Sequence, residues 1–205
     1  MWRLFAGAAT AMVLAAVASL AVIYSGVYNV AARNPMENYA HLALDTAMER
    51  SVFRHARSVT LPEDYGSEEA IRRGLVLYHD LCVQCHGGPG LRRGEIGRGL
   101  QPHPTYLWRK SRHWEWSAKE IYWIIRNGIQ YSGMPAWDDA RPESDLWSIV
   151  AFIDKSLPKM SRDGYRSALT AAGRDPLKSG GPISGTVGVS RDLTRFPAAS
   201  PVSEP

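Results

Sequence analysis

The sequence predicts an all-α protein: one helix long enough to cross a membrane, followed by one small helical domain. Three observations carry the prediction. No charged residue occurs from Leu4 to Ala32, and the most apolar part, Leu4 to Tyr24, reaches the roughly 20 residues that a helix needs to cross a bilayer core. Further on, residues return at helical spacing, with Gly74, Tyr78 and Cys82 at intervals of four and Leu146, Ile149, Val150 and Ile153 as one apolar stripe. Helix-start chemistry also stands in place: a capping hydroxyl with an acidic first turn at Ser67-Glu68-Glu69, and a capping box at Ser117-Ala118-Lys119-Glu120.

In chain order, residues 1–32 read as a transmembrane anchor. The rival reading is a cleaved signal sequence, since Ala16-Val17-Ala18 resembles a small-residue cleavage site, but signal peptides carry an apolar region of only about 7–15 residues. Tyr24 and Tyr28 stand near its outer end, where aromatic rings favour the interface. Residues 33–66 form a juxtamembrane helix and linker. Leu44, Met48 and Val52 recur every four residues, and Arg50, Arg54 and Arg57 share a nearby face. This helix either packs on a partner or on lipid head groups, or is a spacer with a solvated basic face. Leu61-Pro62-Glu63-Asp64-Tyr65-Gly66 is a turn-rich break. The domain proper occupies 67–160, with helices expected over about 68–80, 118–127 and 142–155, the second ended by Asn127-Gly128. Residues 161–205 are a C-terminal extension. From Gly173 it holds five each of Gly, Pro and Ser without apolar periodicity, and is expected to be disordered from about there.

Cys82-Val83-Gln84-Cys85-His86 carries the chemistry. Two cysteines two residues apart with a histidine directly after are the attachment pattern for c-type haem. Each thiol adds across one vinyl group, and the double thioether link holds the following histidine beneath the iron. These are the only cysteines in the chain, so a zinc or iron–sulfur site lacks the further ligands it needs. A redox-active dithiol is the remaining alternative. C-type haem is attached outside the bacterial cytoplasmic membrane, so the motif is expected outside and the N-terminus inside. With about 100 residues in the domain, a covalently held haem would supply much of the core.

The pattern Gly-x-x-x-aromatic-x-x-x-Cys-x-x-Cys-His, formed by Gly74, Tyr78 and Cys82 to His86, resembles the N-terminal helix of class I c-type cytochromes. The resemblance covers about Ser67 to Leu157 and is closest to the single-haem domains of the cbb-type oxidase group. Arg98 to Pro104 and Ile121 to Trp137 are also similar to membrane-anchored monohaem cytochromes of proteobacteria. It implies the class I cytochrome c fold, in which the N-terminal helix crosses a C-terminal helix through the glycine. Gly74 and Tyr78 should then touch Ile149 and Phe152. Gly133-Met134-Pro135-Ala136-Trp137 matches the family's distal-ligand motif, 48 residues after His86, which makes Met134 the second axial ligand to one haem c. Met160, His103 and His113 are rivals without that motif. The family also places a proline carbonyl on the proximal imidazole, with Pro89 and Pro102 as candidates. Trp123 and Pro135 are expected in the haem pocket. Arg126 either reaches a haem propionate or is a solvated surface arginine.

A net charge of +4 and a pI near 9.2 suit an acidic protein partner or an anionic membrane surface and are too weak to imply nucleic acid. Arg92, Arg93, Arg98, Arg109, Lys110 and Arg112 lie between the two ligand motifs, with Glu95 the one acid among them before Trp114. They form a candidate docking ring for an acidic redox partner, or a solvated face. With His and Met both on the iron, no open position remains for a substrate, so the resemblance implies an electron carrier of a respiratory chain rather than an enzyme. It would be tethered to the bacterial inner membrane with the haem domain in the periplasm. The alternatives are a fixed haem subunit of an oxidase or membrane dehydrogenase, and a haem sensor or peroxidase whose distal bond opens. No carboxylate pair, phosphate loop or Ser/His/Asp signature supports acid–base or nucleophilic catalysis.

Overall fold

The computed structural model describes residues 1–32, 38–109 and 116–177. Among these residues the structure is helical and contains no strand; one isolated antiparallel bridge joins Gly88 and Leu91. The first helix, α1 (Trp2–Ser25), is uniformly apolar and exposed along its length, and is the one described helix long and apolar enough to cross a membrane.

Helix α2 (Asn38–Ala56) continues the stripe read from Leu44, Met48 and Val52 as far as Ala56. In its C-terminal half one face is buried, with Val52 and Ala56 almost without solvent contact, and it packs on α6 (Ala118–Asn127). Phe53 meets Trp116 at 5.2 Å between ring centroids, and His55 stacks on Trp123 at 5.5 Å. The surface that this helix covers is therefore in the same chain, while Arg50, Arg54 and Arg57 stay exposed.

The core is the crossing of α3 (Glu68–Leu81) with α7 (Glu143–Ala151). Ser67 caps α3 by accepting from the Ala70 amide at 3.2 Å. Helix α7 runs on through a π-helical turn, Phe152–Ser156, and a 3-10 turn, Leu157–Lys159. The contact depends on Gly74. A β-carbon there would lie 1.9 Å from the Ser148 carbonyl oxygen and 2.8 Å from Cβ of Phe152, so only glycine lets the backbones approach this far. The expected pairing is confirmed for Phe152, whose ring lies 5.5 Å from that of Tyr78, whereas the nearest atoms to Gly74 beside it are the backbone of Ser148, not Ile149. Arg73 Nε donates to the buried Asp145 carboxylate at 2.6 Å and locks the same crossing from outside. Tyr122 of α6 stacks on Trp147 at 4.2 Å, which joins α6 to α7.

The last helix among the described residues, α8 (Arg162–Ala171), closes the domain. Tyr165 and Leu169 are fully buried. Beyond it Arg174 pairs with Asp80, and the Asp175 carbonyl meets Nε2 of the buried His79 at 3.2 Å. The chain thus stays packed past residue 173, where disorder was expected to begin; residues 178–205 lie outside the described residues.

Candidate haem-binding site

Helix α3 delivers the motif. Cys82 is its C-cap, and the next turn, α4 (Val83–His86), is built on it, with the amides of Cys85 and His86 both donating to the Cys82 carbonyl. Cys82, Cys85 and His86 are thereby gathered within one turn. Tyr78, one turn earlier, donates its hydroxyl to the Gly87 carbonyl at 2.7 Å and fixes the exit from the motif. Gly87 has φ +65°, and a β-carbon there would meet the Leu91 carbonyl at 2.8 Å, so the turn after His86 requires glycine.

His86 Nδ1 lies 2.8 Å from the Thr105 carbonyl oxygen. A carbonyl can only accept, so Nδ1 carries the proton and Nε2 keeps its lone pair free. Burial lowers the imidazole pKa; the Thr105 contact raises it in part and the Arg93 charge lowers it again, so the neutral, metal-ligating form is favoured. The carbonyl that orients the ring is therefore that of Thr105, not of Pro89 or Pro102. Pro89 is buried in the turn after His86, and Pro102 is exposed behind a cis Gln101–Pro102 bond.

The thiols are poor candidates for dithiol redox chemistry. Burial, with the neighbouring Cys85, pushes the Cys82 thiol up to about 12, and burial raises Cys85 as well. A redox dithiol needs the opposite, a lowered pKa and ready exposure. Partly buried thiols on one turn with an imidazole whose Nε2 is free would suit double thioether attachment of a haem.

Helix α5 (Glu95–Gly99) lies between the motif and the loop that bears Met134. Gly97 lies against Cys85, where a β-carbon would come within 2.8 Å of its Cα, and Leu100 at the other end lies against Gly133. Met134 itself is half-buried and packs on the core; its amide donates to Ser132 Oγ at 3.1 Å and its carbonyl accepts from Ile129. Gly128, at φ +68°, passes close under the Met134 carbonyl. Pro135 is exposed beside it. Met160, the rival ligand, packs on the core cluster, and the exposed His103 holds the Leu100 carbonyl with Nδ1 at 2.7 Å; His113 lies outside the described residues.

Trp123 and Arg126 stand elsewhere. Both line a polar cavity of about 450 Å³, formed with His55, Tyr122, Asp138 and Glu143 among others and with none of the motif residues. Arg126 is held by Asp138 at 2.8 Å. In the basic segment Arg92, Arg98 and Arg109 are exposed, but Arg93 turns inward, its guanidinium 3.9 Å above the Tyr106 ring. Lys110 and Arg112 lie outside the described residues. Sequence reasoning missed Thr105, because a backbone acceptor leaves no mark in residue type, and it missed the inward turn of Arg93.

Residues 69–153 match the family model described as cytochrome C oxidase, cbb3-type, subunit III. No solved structure matches the chain.

Proposed function

We propose that the protein carries single electrons while tethered to a membrane, a reading supported by the match of residues 69–153 to the family described as cytochrome C oxidase, cbb3-type, subunit III. Cys82 and Cys85 would hold one haem c covalently, and His86 and Met134 would ligate its iron. The bound haem supplies a one-electron couple. The observation that carries this reading is the His86–Thr105 contact inside a Cys-x-x-Cys-His turn, which presents Nε2 ready to bind a metal.

The protein's own residues do the rest. Tyr78 and Gly87 hold the proximal turn, Thr105 fixes the imidazole tautomer, and Gly128 and Ser132 shape the loop bearing Met134. A thioether ligand favours the reduced state and raises the potential. The exposed Arg92, Arg98 and Arg109 form the docking face for an acidic partner. The anchor stays on the mature protein, with the haem domain on the periplasmic side.

A second reading is favoured by the matched family, whose name is that of an oxidase subunit: the chain is a fixed haem subunit of such a complex. Isolation from mildly solubilised membranes separates the two, because a fixed subunit comes away with stoichiometric partners.

The experiment for the haem assignment is acid–acetone extraction followed by a pyridine haemochrome spectrum. Haem is expected to stay with the protein and to show two saturated vinyl positions. Extractable haem would overturn the assignment, and Cys82→Ala or Cys85→Ala is expected to lose the second thioether.

A further inference from the structure

Helix α2 has two faces, and the fold uses one of them. Val52 and Ala56 are buried where it packs on α6. At about 100° per residue, Arg50 and Arg54 lie two positions from these and stand on the opposite side. Arg57 follows just past the helix end. All three are exposed, as are Tyr39, Ala43 and Ala47, which recur every four residues on the same side. That side carries no acid. The two acids of α2, Asp45 and Glu49, stand seven residues before Val52 and Ala56 and so on the packed side, and Asp45 is taken by His41 at 2.8 Å. Among the described residues no carboxylate pairs with Arg50, Arg54 or Arg57. Arg50 and Arg54, at i and i+4, repel one another slightly, and the helix supplies nothing to offset it.

A row of free guanidiniums along one helix face suits an extended anionic surface. Three arginines alone hold such a surface weakly, at about fivefold each. Here the surface cannot leave. Residues 26–37 tie α2 to α1 at no more than about 40 Å, so docking is intramolecular and needs little attraction. Tyr39 stands 75 % exposed where this connection meets α2, with the amphipathic ring that favours the lipid–water interface. We propose that Arg50, Arg54 and Arg57 dock the domain on the anionic head groups of the bilayer that holds α1. The inference rests on the anchor reading above. Docking holds one side of the domain against lipid and fixes which sides a partner can approach; the connection to α1 alone limits only distance.

The test uses the full-length, haem-loaded protein in vesicles, either of phosphatidylcholine alone or of equal parts phosphatidylcholine and phosphatidylglycerol. An alkaline carbonate wash comes first. Wild-type protein released by it has no anchor, and the anchor reading fails together with the proposal. With the protein retained, docking is read separately, from the relaxation of a nitroxide on Ala47→Cys by a gadolinium chelate carried on lipid head groups. Strong relaxation is expected on the anionic vesicles and weak relaxation on the neutral ones. Changing Arg50, Arg54 and Arg57 together to glutamine should lower the docked-to-free ratio about a hundredfold, with the haem spectrum unchanged. Changing them to lysine should keep most of the docking, because charge carries it. Salt at about 1 M, where the Debye length is about 3 Å, should undock the wild type. Equal relaxation on both kinds of vesicle, or a glutamine variant that docks like the wild type, would overturn the proposal. A wild type that stays undocked on anionic vesicles would overturn it too, and would leave the row to an acidic protein. If the glutamine variant does not accumulate, the salt titration of the wild type on the two kinds of vesicle decides it.

Discussion

Replacing Gly74 by alanine tests whether the crossing of α3 and α7 positions the haem motif. On helix propensity alone the change should stabilise α3 by about 1 kcal/mol. The structure reverses that sign. The new β-carbon would sit 1.9 Å from the Ser148 carbonyl oxygen and 2.6 Å from its carbon, both backbone atoms that no rotamer change can move. Relief requires the helices to part by about an ångström, and overpacking of this kind typically costs about 1–3 kcal/mol. Parting also uncovers Leu146, Ile149, Val150 and Phe152, each at most 1 % exposed. Full burial of each is worth roughly 1.5–3 kcal/mol, so losing a fifth of it across four residues costs about 1–2 kcal/mol more. The net is a destabilisation of about 1–4 kcal/mol, which in a domain of this size lowers Tm by roughly 4 °C or more. Thermal unfolding of the haem-loaded protein, followed in parallel by far-UV circular dichroism and the Soret band, measures it. An unchanged or higher Tm in Gly74→Ala would refute the reasoning.

Tyr78→Phe should cost about 1–3 kcal/mol, because it leaves the Gly87 carbonyl unpaired in a buried position; matched denaturant titrations of the two proteins measure it. Met134→Ala should open the iron to carbon monoxide or cyanide and lower the potential; a retained Met-ligated spectrum would point to Met160. Mass spectrometry of membrane-purified protein should find a peptide from residues 1–33, whereas a mature start at Ser19 or Arg33 would mean a cleaved signal. Electron transfer to the native partner should slow steeply as the Debye length falls from about 10 Å at 0.1 M salt to about 3 Å at 1 M. Changing Arg92, Arg98 and Arg109 together to glutamine should flatten that dependence, and insensitivity to both would remove the docking face.

What was legible in the sequence was what local chemistry writes into residue type. The capping box at Ser117 fixed the start of α6 at Ala118, with Glu120 reaching back to the Ser117 amide at 2.6 Å. The glycine at 74 announced a close approach. Thr105 could not be read, because the group that acts is a carbonyl whose position depends on the loop's path. Charge counting put Arg93 with its neighbours, yet its direction is set by Tyr106, which offers a face only in three dimensions. Trp123 stacks on His55 of α2 and Arg126 pairs with Asp138, partners that spacing along the sequence does not reveal. Helix α8 was readable: Ser161 accepts from the Gly164 amide at 3.0 Å, Asp163 follows in the first turn, and Tyr165 and Leu169 are spaced by four. Its proximity to the Gly/Pro/Ser-rich tail hid it.

Because α2 is part of the folded body, the leash that ties the haem domain to its anchor is short. Only the 12 residues 26–37 lie between Ser25 and Asn38, and at full stretch they span no more than about 40 Å. With α1 in a bilayer, the domain is confined to a hemisphere of roughly that radius. One molecule in that volume corresponds to an effective concentration on the order of 10 mM. A partner held beside the anchor, with its electron-exchange site within this height, would meet the domain at that effective concentration. A taller one is out of reach however strong its attraction. Lengthening the leash would dilute the first encounter and permit the second, so the selectivity of such a carrier is written partly in the distance from Ser25 to Asn38.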